Sequence, residues 1–242
     1  MKSYFQTSLR TIVIFLAGMM PLVFYGQIKT DSPFEKYMYL SVNGGITQYY
    51  GDLNKNYFYS TNAKPAFGFI LGGQISPLFG VRGQFMYGTI AGENADFKFI
   101  SNLWDGTVDL SLNFSNLIGG YKKRLVSFYG FGGAGIASIS SRLSESDGTT
   151  VAEIGKHYNK DAIYEFVVPV GFGANMTLSQ KLDLNFEYGN RILFTDNKLD
   201  AKPGLGLNDH YGYVSLGLTY NFFFSTNMWN LPRQIFFGLF HL

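Results

Sequence analysis

Cysteine is absent from the 242 residues, so disulfides, thiolate metal sites and lipid attachment through an N-terminal cysteine are all excluded. Charge is scarce as well. Asp, Glu, Lys and Arg together make up 15% of the chain, against about 25% in an ordinary soluble domain. Tryptophan occurs only twice. After residue 26 no apolar run is long enough for a membrane-spanning helix. The three histidines, His157, His210 and His241, form no pair with metal-ligand spacing, and Asp196, Asn197 and Asp200 lack the spacing of a calcium loop. No metal site, cofactor motif or catalytic set is therefore expected.

Other residues are plentiful. Aromatics reach 18%, with 24 Phe and 17 Tyr, and glycine numbers 29. Low charge with many aromatics and glycines suits a sheet that meets lipid on one face. Residues 1–26 read as a cleaved signal peptide: Lys2 and Arg10 precede the apolar stretch 11–23, which Pro21 interrupts. Its removal takes two cations from 19, leaving 17 Lys and Arg against 17 Asp and Glu. A neutral chain gives no reason to expect a nucleic-acid partner. A membrane protein without apolar helices must cross as a closed barrel.

Alternation of apolar and polar residues tests that expectation. In 211–222, Val214, Leu216, Leu218, Tyr220 and Phe222 share one face, and Ser215, Gly217, Thr219 and Asn221 the other. In 181–190, Leu182, Leu184, Phe186 and Tyr188 oppose Lys181, Asp183, Asn185 and Glu187. In 107–116, Val108, Leu110, Leu112 and Phe114 oppose Thr107, Asp109, Ser111, Asn113 and Ser115. Stretches 66–76, 81–90 and 163–176 repeat the pattern; 37–48 is weaker, and 127–140 is glycine-rich without a clear phase. Short connections near 77–80, 119–125 and 177–180 alternate with long ones near 51–65, 91–106, 141–162 and 191–210. These features predict an all-β fold: an eight-stranded antiparallel up-and-down transmembrane β-barrel over 27–224, with four long outer loops. Both termini would be periplasmic and the protein would sit in the outer membrane of a Gram-negative cell.

Gly45 to Leu53 (GITQYYGDL), Phe79-Gly80-Val81-Arg82 and Phe194 to Asp200 (FTDNKLD) resemble segments of small outer-membrane barrels of Bacteroidota. These include PorG-like barrels associated with type IX secretion and the barrel halves of OmpA-type proteins. The resemblance covers about residues 37–224 and implies fold and lineage more than activity. No peptidoglycan-binding domain follows the barrel, so an OmpA-type wall anchor is not implied.

An eight-stranded barrel is only wide enough for side chains to fill it. Alternation points Arg82, Gln84, Asp109, Asn113, Glu165, Asp183, Asn185 and Glu187 inward. Charges shut inside lipid need partners, so a polar network centred on Arg82 is expected, with a thread for protons or small ions as the sharper alternative. Gly130–Gly135 (GFGGAG) matches a dinucleotide-binding pattern, but the following Ile136 to Ser140 is no helix start; small residues leaving room for bulky neighbours explain it better. His157 and His210, with Asp161 and Asp209 nearby, raise a lipid-modifying enzyme at the outer rim as an alternative. Lys122-Lys123-Arg124 places three cations in a short turn, where they could meet anionic headgroups or a partner.

Residues 225–242 form an apolar C-terminal tail. Leu231, Ile235, Phe236, Leu239 and Phe240 fall on one side of a helix begun by Asn230 and Pro232, a face suited to the inner membrane surface or a partner subunit. The expected role is a non-catalytic structural or interaction subunit of an envelope assembly, with a link to type IX secretion. Its partners would be outer-membrane lipid, lipopolysaccharide and envelope proteins. The alternatives are a rim enzyme acting on lipid or lipopolysaccharide, and a narrow ion or solute pore.

Overall fold

The computed structural model describes residues 27–28, 34–50, 62–158, 160–161, 163–194, 199 and 210–223. The expected leader, and the tail face of Leu231, Ile235, Phe236, Leu239 and Phe240, lie outside the described residues.

Among the described residues the main sheet has nine strands, with one short α-helix, in the order β1 (Tyr37–Tyr50), β2 (Lys64–Gln74), β3 (Phe79–Glu93), β4 (Phe97–Asn113), α1 (Phe114–Gly119), β5 (Val126–Glu145), β6 (Thr150–Ile154), β7 (Ile163–Thr177), β8 (Leu182–Leu193) and β9 (His210–Phe223). Apart from it Gln27–Ile28 pairs with Lys123–Arg124, and a 3-10 turn spans Lys156–Tyr158. Every neighbouring pair is antiparallel. The order β4-β3-β2-β1-β9-β8-β7-β5 returns on itself through β5–β4 pairing, with β6 attached only to β5. Eight strands thus close into a barrel, and the first and last pair directly, Tyr37 opposite Phe223.

Alternation decides which face each residue takes, and the barrel is inside out. Val42, Phe67, Val108, Leu110 and Tyr164 are each at least 60% exposed on the outer wall. Ser41, Asn43, Arg82, Asp109, Asn185, Glu187 and Arg191 are buried inside. A run of rings, Phe69 to Phe85 (5.3 Å), Phe85 to Trp104 (6.1 Å) and Trp104 to Tyr164 (6.3 Å), crosses the outer wall. An apolar exterior around a polar interior is stable in lipid and not in water. The molecule is a membrane-spanning β-barrel.

The connections depart from expectation at two places. Residues 91–106 are not a loop: β3 runs on to Glu93, β4 begins at Phe97, and Asn94 caps the tight turn by accepting from the Asp96 and Phe97 amides. Within 141–162, β5 continues to Glu145 and β6 turns back beside it. The pairing registers show why. β2 leaves β3 after Ala66–Gly88, and β7 leaves β5 after Ile139–Ile163, while β3, β4 and β5 stay paired to their far ends. A four-stranded blade of residues 89–93, 97–102, 140–145 and 150–154 therefore continues beyond the barrel wall. The expected strand over 107–116 also ends early. Asn113 accepts from the Asn116 amide at 2.9 Å and caps α1, so Phe114, Ser115 and Asn116 are helical.

Leu110 sits on the outer wall at 66% exposure. Leu110→Arg is expected to lower stability by about 2–4 kcal/mol near the bilayer midplane. Equilibrium unfolding in phospholipid vesicles measures this; a loss near zero, as for an exposed leucine in water, would contradict a lipid-facing wall.

Candidate functional site: the polar lumen

β3 and β4 are neighbours, and their register sets Arg82 directly opposite Asp109. Arg82 Nε donates to Asp109 Oδ2 at 3.1 Å. Its Nη1 and Nη2 reach across the lumen to both oxygens of Glu187 on β8, and Nη2 also donates to Gln84 Oε1 at 2.9 Å. The ring of Phe131, on β5, lies under the guanidinium, 4.0 Å from its carbon. The cation thus ties three strands together, buried among the lumen's polar residues.

Tyr129 extends this cluster by donating to Glu187, and it accepts from Asn185 Nδ2 at 2.6 Å. Asn185 Nδ2 also reaches Asn175, and Asn185 Oδ1 accepts from Asn43 of β1 at 3.1 Å. Glycines make these bulky side chains possible. A Cβ on Gly173 would strike the Tyr129 phenol, and one on Gly171 the Phe131 ring. Gly130–Gly135 lies wholly within β5; a Cβ at Gly133 or Gly135 would collide with the backbone of β4. The glycine run is a packing device of the wall and holds no helix terminus for a phosphate.

A second charged layer sits deeper. Arg191 of β8 pairs with Asp105 of β4 at 2.8 Å, both fully buried; the Nε–H points off the contact line, so the contact is an ion pair more than a hydrogen bond. Tyr211 donates to Asp105 Oδ2 at 2.6 Å, and the rings of Tyr211 and Tyr213 flank the guanidinium. Beyond it the blade folds its apolar face over the mouth. Tyr49, Met86, Ile90, Phe99, Leu103, Ile139, Leu143 and Leu193 form one buried cluster there, joined by Leu199.

Toward the short-connection end the lumen opens into a polar cavity of about 130 Å³, lined by Tyr37, Tyr39, Gln74, Asp183 and Thr219 above the Arg82–Glu187 pair. From one end to the other, then, the interior runs from polar cavity through two ion-pair layers to an apolar plug.

The residues expected inward separate into groups. Arg82, Gln84, Asp109, Asn185 and Glu187 come together. Asp183 stands at the cavity wall and accepts from Asn221 at 2.7 Å. Asn113 caps α1 at the cavity rim instead of joining Arg82. Glu165 is buried on the lumen side of β7 beside Ala137, toward the long-connection end. Arg191 and Asp105 were not foreseen, because 191–210 and 91–106 read as loops. Continuing the period-two phase from Glu187 through Gly189, and back from Asp109 through Thr107, would have reached both. His210 is not in a loop; it opens β9 and stacks on Tyr50 at 5.4 Å. His157 lies in a single 3-10 turn against the Tyr158 ring. Among the described residues no three His, Asp or Glu side chains are grouped to hold a metal.

No protein-family model matches the chain, and no curated protein matches it in sequence. The fold is similar to that of Ail, the attachment invasion locus protein of Yersinia pestis, solved with the heparin analogue sucrose octasulfate. The two share 15% identity over 78% of this chain and 100% of that one, with a TM-score of 0.47. Neisserial surface protein A is similar at 15% identity over 76% and 97%, TM-score 0.46. The outer membrane protein OprG of Pseudomonas aeruginosa is similar at 11% identity over 78% and 97%, TM-score 0.38.

Arg82→Ala leaves Asp109 and Glu187 buried without their cation, and is expected to cost about 3–5 kcal/mol. The triple change Arg82→Met, Asp109→Asn, Glu187→Gln removes every charge at once and is expected to recover most of that loss. Unfolding midpoints in vesicles distinguish the two; equal losses would mean that Arg82 acts through packing on Phe131.

Proposed function

We propose that this chain is an outer-membrane barrel, both ends periplasmic, that serves as a structural or interaction subunit of an envelope assembly and neither conducts solutes nor catalyses a reaction. The observation that carries this reading is the blade. A strand needs about 9–11 residues to cross the bilayer, whereas β4 has 17 and β5 has 20. The excess is folded into an ordered sheet outside the barrel wall, and no described residue pairs with the outer edge of β6. An exposed strand edge with unpaired backbone groups is a docking element for another polypeptide. Val151 adds an exposed apolar side chain at a bulge there, and the Arg142–Glu153 ion pair at 2.8 Å bridges the two strands of the hairpin.

The packed interior supports the same reading. With an apolar plug at one end and two ion-pair layers beneath it, the working surfaces are the blade, the outer loops and the two rims. Placement in the outer membrane follows from general chemistry: closed barrels with lipid-facing apolar walls are the outer-membrane solution to spanning. A link to type IX secretion rests on the resemblance of residues 45–53, 79–82 and 194–200 to PorG-like barrels. The tail beyond residue 225 adds a candidate docking element on the periplasmic side.

Three measurements test the proposal. Purified protein in planar bilayers is expected to give no stepwise conductance; discrete channels would refute the closed lumen. The chain has no native cysteine, so single cysteines at positions 98 and 150 are expected to label from outside intact cells, and one at position 180 only after permeabilisation. Finally, Glu153→Pro, at a residue paired with Arg142 of β5, breaks the β6 edge away from the lumen and the membrane. The variant is expected to keep the heat-modifiable gel band of a folded barrel while losing co-purifying envelope proteins from detergent extracts. Retention of every partner would remove the blade from the proposal.

A further inference from the structure

The short-connection end carries a structure of its own. α1 spans six residues after β4 and packs on the outside of the wall, where the Phe114 ring covers Gly130. Its polar side is pinned to the barrel. Ser115 is buried and accepts from the Phe128 amide at 2.8 Å, and Asn116 Nδ2 donates to the Pro77 carbonyl at 2.7 Å. Arg124 belongs to this clamp. It is 7% exposed and donates to Asn116 Oδ1 and to the Gly120 carbonyl. The triplet 122–124 is thus split: Lys122 and Lys123 are exposed and Arg124 is buried.

Fixing the polar side inward turns the apolar side out. Phe114, Leu117 and Ile118 share one face by their spacing of three and one, with Leu117 and Ile118 at 55% and 63% exposure. Leu125, Ile75, Phe79 and Leu178 are exposed around the same end, and the apolar wall of Val108 and Leu110 runs into this rim without a break along β4.

Charge at the two ends differs. At the short-connection end the exposed charged side chains among the described residues are Lys36, Lys122, Lys123 and Lys181 against Glu35, four minus one, an excess of three cations. At the blade end, residues 64, 93–98 and 142–161 hold six carboxylates against five cations. The lysines come from three parts of the chain, before β1, between α1 and β5, and between β7 and β8; the segment before β1 reaches the α1–β5 turn, where Phe34 packs on Tyr121 at 5.4 Å and Ile28 pairs with Lys123.

We infer that this rim is a lipid-binding collar. α1 lies in the headgroup region with Leu117 and Ile118 among the upper acyl chains, and the lysines bind the phosphates of an anionic phospholipid leaflet. One feature selects lipid over a protein partner: the apolar face of α1 is continuous with the lipid-facing wall. The collar sets the depth and direction of the barrel, since the described residues of the blade end are nearly balanced in charge and gain nothing from anionic lipid.

The absence of cysteine makes the test direct. Ile118→Cys is labelled with bimane and the protein reconstituted in vesicles of phosphatidylcholine with phosphatidylglycerol, one or the other carrying brominated acyl chains. Quenching by brominated phosphatidylglycerol is expected to exceed that by brominated phosphatidylcholine at equal mole fraction by roughly twofold to fivefold at low salt. The preference is expected to fall at about 1 M salt, where screening shortens to about 3 Å. Changing Lys36, Lys122, Lys123 and Lys181 to Gln should abolish the preference while bimane stays quenched. If that variant fails to fold, Lys122→Gln with Lys123→Gln should still reduce it. Equal quenching by both lipids, or a preference that survives the lysine changes, overturns the assignment of the lysines. Bimane unquenched by either lipid overturns the placement of α1.

Discussion

Hydrocarbon offers no hydrogen bonds, so a strand lying in it must find a partner on each side within the protein. That constraint shapes everything else in this molecule. β1 meets β9 along fourteen residue pairs and β4 meets β5 along seventeen, which leaves the barrel wall without an open edge. Closure at eight strands then fixes the width of the interior, and a narrow interior must be filled by whatever the alternation sends inward. Only past the last β2–β3 and β5–β7 pairs does the sheet leave the ring, and there it forms the blade.

Because the wall gives its apolar residues to lipid, the polar ones have nowhere to go but the lumen. Burying charges there is tolerable only when each finds a partner. Arg82 and Arg191 solve this in two stacked layers, each pairing a strand with a neighbour or with the opposite wall. Glycines opposite the large aromatics are the steric counterpart: Gly171 and Gly173 leave the volume that Phe131 and Tyr129 occupy. A lumen packed in this way directs attention to the outer surfaces. The blade and the lysine rim lie at opposite ends and carry different chemistry, one a strand edge suited to polypeptide, the other an apolar and cationic belt suited to phospholipid.

Much of this was legible in the residues because period-two alternation reports faces directly. The strands around 181–190 and 211–222 stand where the pattern puts them, and Arg82 with Asp109 and Glu187 could be placed inside before their contacts were known. The pattern fails where its physical cause changes. Along 99–105 the inward face carries Phe99, Ser101, Leu103 and Asp105 and the outward face Ile100, Asn102 and Trp104, so polar and apolar residues stand on both faces and the simple sorting into lipid and lumen lapses. Residues 114–119 continue the apolar rhythm of β4, yet the Asn113 cap converts them to a helical turn. The basic triplet illustrates the same limit: composition counts three cations, while Arg124 is consumed by carbonyls and an amide of its own turn.

By itself the sequence determined the class of the molecule. A chain without cysteine and with low charge, with no apolar run long enough for a spanning helix after residue 26 and with eight candidate strands of which six alternate clearly, has one way to satisfy its backbone in lipid, and where alternation is clear it decides which side chains face out. Tertiary structure alone decided the partners across the lumen, because Glu187 meets Arg82 only after 105 residues of chain have gone around the ring. It also decided that two expected loops rise as a blade, since that depends on where β2 and β7 turn away from their neighbours, a matter of register between distant strands that no local pattern encodes.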